Sequence, residues 1–313
     1  MISKETFDKD KANFKGTYRP LLKEIDNPTL LQIDELHGIA GALSGKNQNI
    51  HNNILLLLAS IGTIITIIFF IYFEWDISAF IIPCVLLMFI LIGIHLVSNK
   101  LNYHDKYLEY RVLAESLRLQ FFLSYAGAQE KVIDILPWFI EHGVPLVKEV
   151  LGTLDFTELP QKREIRDNWI IHQKKYHEGA LQKSKKKMRT QKIVTYASIT
   201  VTIATYIIAL IFEYLIPAST FNLNGDIIHL GIKLAMAGMS AFTLFLGSYY
   251  GKMSLSEKID DHERMVELYG IIEDRIRTEG ETDEILSYAA REFLIENSTW
   301  YAYQSKNKPD LVV

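Results

Sequence analysis

Residues 54–73 read ILLLLASIGTIITIIFFIYF and contain no charged side chain. A helix needs about 20 apolar residues to cross the roughly 30 Å hydrocarbon core of a bilayer. Three further windows share this character: 79–97, 193–216 with Glu213 near its end, and 227–250 with Lys233 in its second turn. A large soluble protein can bury apolar helices in its core, but such helices are usually shorter and rarely occur as two close pairs. The windows therefore predict four membrane-spanning helices in two hairpins.

The composition excludes several other classes of protein. Of the 313 residues, 49% are apolar and 12% aromatic, and the net charge is -4. These values do not fit a disordered chain, and the charge is too small to indicate a nucleic-acid partner. Cys84 is the single cysteine, which excludes a disulfide framework and a zinc knuckle. The first 50 residues contain no apolar run, so we expect no cleavable signal peptide.

The placement of Lys and Arg predicts the orientation of the chain. The short connectors 74–78 and 217–226 contain none, whereas 98–192 contains 17, 1–53 contains seven and 251–313 contains eight. Basic residues accumulate on the cytoplasmic side of a membrane. We therefore expect a multi-pass protein of the inner (plasma) membrane, with both hairpin tips outside and both termini in the cytoplasm.

The polar parts of the chain are expected to be helical. Apolar residues recur at helical spacing, Asn27-Pro28 is a helix start, and no alternating strand pattern is evident. The predicted helices are 27–53, 100–126, 161–192, 251–278 and 282–304, with short helices and turns in 128–160. The expected fold class is all-α: an integral membrane protein with four transmembrane helices and long cytoplasmic helices that form a bundle.

These boundaries divide the chain into five parts. The membrane hairpins are 54–97 and 193–250. The cytoplasmic parts are the N-terminal segment 1–53, the connector 98–192 and the C-terminal helices 251–313.

The connector carries candidate polar contacts on two helices. Arg111, Glu115 and Arg118 share one helical face, either as an exposed ladder of ion pairs or as a network between cytoplasmic helices. On the next helix, Trp169, Gln173 and Tyr176 share a face, and His172 beside them is expected to be a packed histidine. No second histidine or carboxylate stands at metal spacing, so we expect no metal and no cofactor.

A basic cluster directly precedes the third window. Basic side chains on the cytoplasmic side attract anionic lipid, so we interpret the cluster as a lipid anchor. A nucleotide or phosphate ligand is the alternative. The residues are Lys183, Lys185, Lys186, Lys187 and Arg189.

Polar residues inside the third and fourth windows are candidates for lining a pore. Thr195, Ser198 and Thr202 recur at helical spacing, either for close helix packing or as a water-facing side. Lys233 lies about 9 Å into the fourth window at 1.5 Å per residue, where it either extends to the outer headgroups or lines the pore. No signature of a catalytic site is present, so we expect no enzyme.

Three stretches resemble the SLATT family, the SMODS and SLOG-associating two-transmembrane effector domains. They are YRVLAESLRLQFFLSYAG at 110–127, WIIHQKKY at 169–176 and REFLIENSTWYAYQ at 291–304, which adds Glu296 and Trp300 to the network or gating candidates. The family often pairs two such units in one chain. The resemblance implies a prokaryotic defence effector that disrupts the membrane and kills or arrests an infected cell. With no sensor domain attached, the implied trigger is a nucleotide second messenger or a separately encoded sensor.

Four packed helices fill their own centre with side chains, so one copy is not expected to conduct. We therefore expect a homo-oligomer with closed symmetry whose cytoplasmic helices control the spans. The alternatives are a non-conducting membrane scaffold or sensor that recruits a partner and, last, a transporter of ions or small solutes.

Overall fold

A computed structural model describes residues 1–75, 77–156, 165–214, 225–251 and 255–306. Within these ranges every regular element is a helix, which confirms the all-α prediction. The α-helices are α1 (Lys4–Ala12), α2 (Pro28–Trp75), α3 (Ile81–Leu101), α4 (Tyr103–Tyr125), α5 (Trp138–Gly143), α6 (Pro145–Leu151), α7 (His172–Tyr214), α8 (Gly225–Gly251), α9 (Leu255–Glu279) and α10 (Asp283–Lys306). Short 3-10 turns occupy Ser78–Phe80 and Val132–Ile135.

Four helical stretches are long and apolar enough to cross a membrane. Their apolar windows are only 6% buried in the first three stretches and 11% buried in the fourth. A core helix of a soluble protein would be largely buried, so these windows do not form such a core. The stretches are Pro28–Trp75, Ser78–Tyr125, Arg166–Phe212 and His229–Glu279. The expected end of the third span at Ile216 and Pro217 lies outside the described residues.

The chain folds as two compact units. The polar unit comprises Met1–His51, Asn102–Leu181 and Asp260–Val313. The apolar unit comprises Asn52–Leu101 and Gln182–Ile259 and contains all four apolar windows.

The core of the polar unit is built around α4. Every side chain from Tyr107 to Tyr125 is buried except Arg111, Glu115 and Arg118, which share one face, so the remaining sides of the helix are covered by other elements. Trp169 stacks on Phe122 of α4, with ring centroids 5.1 Å apart, and lies against Phe293 of α10 at 5.6 Å. The first part of α2 adds a buried stripe at helical spacing: Leu30, Ile33, Leu36, Ala40 and Leu43.

One π-helical turn, Arg166–Ile171, leads directly into α7. The backbone N–H groups of Ile165 and Arg166 donate to the carboxylate of Glu281 at 3.0 and 2.8 Å. Glu281 lies between α9 and α10, so this connection caps the start of α7 with a negative charge.

The helix α1 was not predicted from the sequence. Ser3 caps it, since its Oγ accepts a hydrogen bond from the N–H of Thr6 at 3.2 Å, and Phe7 is its one buried residue. A single apolar side chain gives no periodic stripe, so the pattern that reveals longer helices is missing here.

Asn102 joins α3 to α4 in the left-handed conformation, with φ of 52°. Asparagine tolerates this region, whereas a β-branched residue is strained there. We expect Asn102→Val to lower the free energy of unfolding by about 1–2 kcal/mol and Asn102→Gly to leave it nearly unchanged. Thermal unfolding of the detergent-solubilised chain measures both, and equal melting temperatures would contradict the assignment of strain.

Candidate functional site

Arg118 connects two helices in the polar unit. Its Nη1 donates to Glu115 Oε2 at 2.6 Å on α4 and to Gln173 Oε1 at 3.3 Å on α7. The amide of Gln173 is buried. The contacts therefore join α4 to α7, as the network interpretation of this face requires, and are not confined to the surface of one helix.

Arg111 does not share this carboxylate contact. Its guanidinium lies over the Trp300 ring, 4.2 Å from the ring centroid, in a cation–π arrangement that joins α4 to α10. Tyr107 meets the same indole edge-on at 6.1 Å. The tail motif is thus tied to α4 through Trp300.

The other predicted residues of this network have different partners, although Tyr176 lies within electrostatic range of Arg111. Glu296 Oε1 accepts hydrogen bonds from Arg264 of α9 at 3.1 and 3.3 Å. The Tyr176 ring is 60% exposed, and His172, expected to be packed, is exposed as well. Trp169 is fully buried among aromatic rings and serves the core. Of the three residues that were placed on one face, Trp169 and Gln173 are therefore buried, whereas Tyr176 is exposed.

Three histidines that were not predicted from the sequence lie in this region. His37 of α2 is buried, and the Nδ1 of His177 on α7 lies 3.1 Å from the Nδ1 of His262 on α9. His177 lies one turn after Gln173, so following the same helical face one turn further would have identified it. His37 gave no signal in the sequence, since its burial depends on tertiary packing.

The imidazoles of His37 and His177 are held in their neutral form at neutral pH. Burial, followed by the charge of Arg118, lowers the pKa of His37 to about 3, while Glu115 opposes the shift. Burial also lowers the pKa of His177 to about 3, with further contributions from His262, Arg118 and Arg111. The interior around Arg118 therefore contains a charged pair surrounded by neutral rings.

In the apolar unit, predicted pore-lining hydroxyls bond across the second hairpin. Ser198 and Thr202 of α7 both contact Thr243 Oγ1 of α8, at 2.7 and 3.0 Å. Thr202 also donates to the carbonyl of Ser198 at 2.8 Å, and Thr195 is half-buried one turn earlier. Within one chain these groups join the two helices, as the packing interpretation expects. A pore-lining role in an assembly stays a prediction.

Lys233 forms an ion pair with Glu74, 159 residues away. Its Nζ donates to Glu74 Oε1 at 2.6 Å, at the end of α2. Headgroups or a pore were expected to surround this charge, and its acidic partner was not predicted from the sequence. The pair links the first hairpin to the second.

The side chains of the basic cluster are exposed. They point to several sides of α7, because their positions are spread over nearly two helical turns. The lipid-anchor interpretation requires an exposed basic cluster beside an apolar window. Its members are Lys183, Lys185, Lys186, Lys187 and Arg189.

No family model matches this chain, and no similarity to a curated protein or to a solved structure was found. Among the described residues, no group of three or more His, Cys, Asp or Glu side chains is placed to hold a metal ion. The function is therefore inferred from the residues and contacts of the chain itself.

Proposed function

We propose that this chain is a SLATT-type membrane effector of a prokaryotic defence system, which assembles in the inner membrane and permeabilises or depolarises it when triggered. The observation that carries the proposal is the exposure of four long apolar windows, each at most 11% buried within the chain. Such surfaces require lipid or further copies of the chain around them. Both termini and the polar unit then belong to the cytoplasm.

The packing of the polar unit supports this proposal. The three motif stretches are far apart in sequence, yet they meet through the Phe122–Trp169 stack, the Trp169–Phe293 contact and Arg111 over Trp300. Asn297 of the tail motif also donates to the carbonyl of Val112 at 3.4 Å. A shared core explains why these stretches occur together, and a core whose helices continue into the spans is suited to control them.

The contacts in the apolar unit favour several copies over one. Ser198 and Thr202 satisfy their hydroxyls within the hairpin, so one chain offers little polar surface for a water path. A ring of copies with closed symmetry can line a path that a single copy does not contain. A nucleotide messenger or a separate sensor would act by binding one arrangement of this assembly better than another.

A non-conducting scaffold is the second candidate function. Spans that serve only as anchors would show the same hydroxyl pairing and the same Lys233–Glu74 ion pair. In that case expression of the chain leaves the membrane potential unchanged, and the polar unit recruits a partner. Dye uptake and membrane potential in expressing cells separate the two, since only the effector produces a change.

Lys233→Leu tests the pore directly in proteoliposomes. If Lys233 lines the path, its loss is expected to reduce anion over cation selectivity, because a positive charge near the pore favours anions. Unchanged conductance and selectivity would remove Lys233 from the pore. Glu74→Gln is the matched control, since it breaks the same ion pair but keeps the lysine. Equal effects of both substitutions would assign the role to the ion pair.

A further inference from the structure

Residues 2–22, here called the strap, cross over two helices of the polar unit. The strap contains α1 and an irregular stretch that is mostly exposed. Ile2 and Phe7 are its buried side chains, and Phe14, Leu21 and Leu22 are partly buried against the core. The strap is therefore an outer layer of the unit that is anchored in the core by a few apolar side chains.

One end of the strap is held by α4. The N–H of Ile2 donates to the buried carboxylate of Glu109 at 2.8 Å, and Phe7 meets Tyr110 edge-on at 5.5 Å. Asp10 accepts hydrogen bonds from Tyr110 Oη at 2.8 Å and from Lys106 Nζ at 2.7 Å. Burial raises the pKa of Glu109 to about 7, and the N–H of Ile2 opposes that shift, so the strap stabilises the charged form of this buried carboxylate.

The other end of the strap is held by α2. The N–H of Leu21 donates to the buried Asp34 at 2.7 Å. One turn later the Tyr18 ring lies flat on the backbone of Gly38. A Cβ at position 38 would be 2.0 Å from Tyr18 Cδ2, so only glycine admits the ring.

The two helices also contact each other without the strap. Ser44 Oγ of α2 donates to the carbonyl of Tyr107 on α4 at 2.9 Å, and the buried stripe of α2 belongs to the common core. The strap is thus not needed to bring α2 and α4 together. Its contacts restrain helices that are already packed, and α2 continues into the first apolar window while α4 follows the second.

We infer that the strap is an autoinhibitory clamp: docked between Gly38 on α2 and Glu109–Tyr110 on α4, it holds the resting arrangement of the spans, and its release permits the conducting one. This inference rests on the proposed function. It assigns to Gly38 the role of admitting the Tyr18 ring, since a Cβ there would meet three ring carbons at 2.0–2.7 Å.

Gly38→Ala tests the clamp, with Gly45→Ala as the matched control on the same helix. Alanine favours the helix at both positions, and nothing lies within 4 Å of a Cβ at position 45. We expect Gly38→Ala to speed tryptic cleavage within the strap of the purified full chain. We also expect dye uptake by expressing cells to rise about tenfold, which corresponds to about 1.4 kcal/mol of lost restraint.

A reversible lock provides the second test. The Tyr18 Cγ lies 2.4 Å from a Cβ at position 38, so the two Cβ atoms are at most about 3.9 Å apart, and a small shift of the exposed stretch around Tyr18 allows a disulfide between them. In a Cys84→Ser chain, Tyr18→Cys with Gly38→Cys is expected to give proteoliposomes that stay closed when oxidised and conduct after reduction. Cys84→Ser alone is the control. Oxidised vesicles that conduct as much as reduced ones would overturn the clamp.

The outcomes separate the clamp from the proposed function. Suppose that trypsin cleaves the strap faster in Gly38→Ala, that its dye uptake equals that of Gly45→Ala, and that wild type at high expression still conducts. The clamp is then wrong, and the effector proposal stands. If cleavage within the strap is not faster in Gly38→Ala, the clamp is also wrong. If neither wild type nor any variant conducts, the effector proposal fails, and the autoinhibitory role fails with it.

Discussion

Trp169→Ala is expected to lower the free energy of unfolding by about 3–5 kcal/mol, the usual cost of removing a large aromatic ring from a packed core. The indole is fully buried, stacks on Phe122 and touches Phe293, so α4 and α10 lose a shared partner. Because domains are stabilised by only about 5–15 kcal/mol, the polar unit should be close to unfolding at 37 °C. Intrinsic fluorescence and circular dichroism of the detergent-solubilised chain measure the loss.

Trp138→Ala is the matched control for that substitution. Trp138 begins α5 and is 71% exposed, stacked only on His142. Surface substitutions away from special features usually change stability by less than about 0.5 kcal/mol. A loss of similar size in both variants would show that Trp169 does not hold the core described here.

Acidification from pH 7 to pH 5 is expected to make the contributions of His37 and His177 to the stability of the polar unit less favourable. Both have a pKa of about 3 in the folded chain, below the ordinary 6.5. The unfolded chain therefore binds protons first as the pH falls through 6.5, and each proton favours unfolding. The loss at pH 5 is about 2 kcal/mol for His37 and up to about 2 kcal/mol for the less buried His177.

The comparison that isolates this effect is between wild type and a His37→Asn, His177→Asn double variant. Glu109 works in the opposite direction, since its pKa of about 7 lies above the ordinary 4.5 and its protonation favours the folded chain as the pH falls. That contribution is common to both proteins and cancels in their difference. As the pH is lowered from 7 to 5, the unfolding temperature of wild type should approach that of the double variant, because only wild type loses stability through these two histidines. Parallel curves would contradict the assignment.

The long helices were predictable from the sequence because their signals are local. An uncharged run such as 54–73 indicates a span wherever it occurs, and the apolar pattern after Tyr103 indicates a helix without knowledge of its neighbours. The Trp169 face was identified for the same reason. These features depend on residues within one or two turns of each other.

The pairing of side chains was not predictable in this way. Arg111 and Arg118 stand at equivalent positions of one face, yet one lies over Trp300 and the other bonds to Glu115 and Gln173. Only the positions of α7 and α10 decide between these partners. The Lys233–Glu74 pair likewise depends on how two hairpins meet. Spacing along a helix names candidates, whereas tertiary packing selects among them.

The π-helical turn at 166–171 marks a position where the chain can lose one residue. Such a turn holds one residue more than an α-helical turn, and it is commonly explained by a single inserted residue. A homologue lacking one amino acid there can close the turn as an ordinary α-helix and still place its tryptophan against the same rings. We therefore expect the fold to tolerate a one-residue deletion between Ile165 and His172.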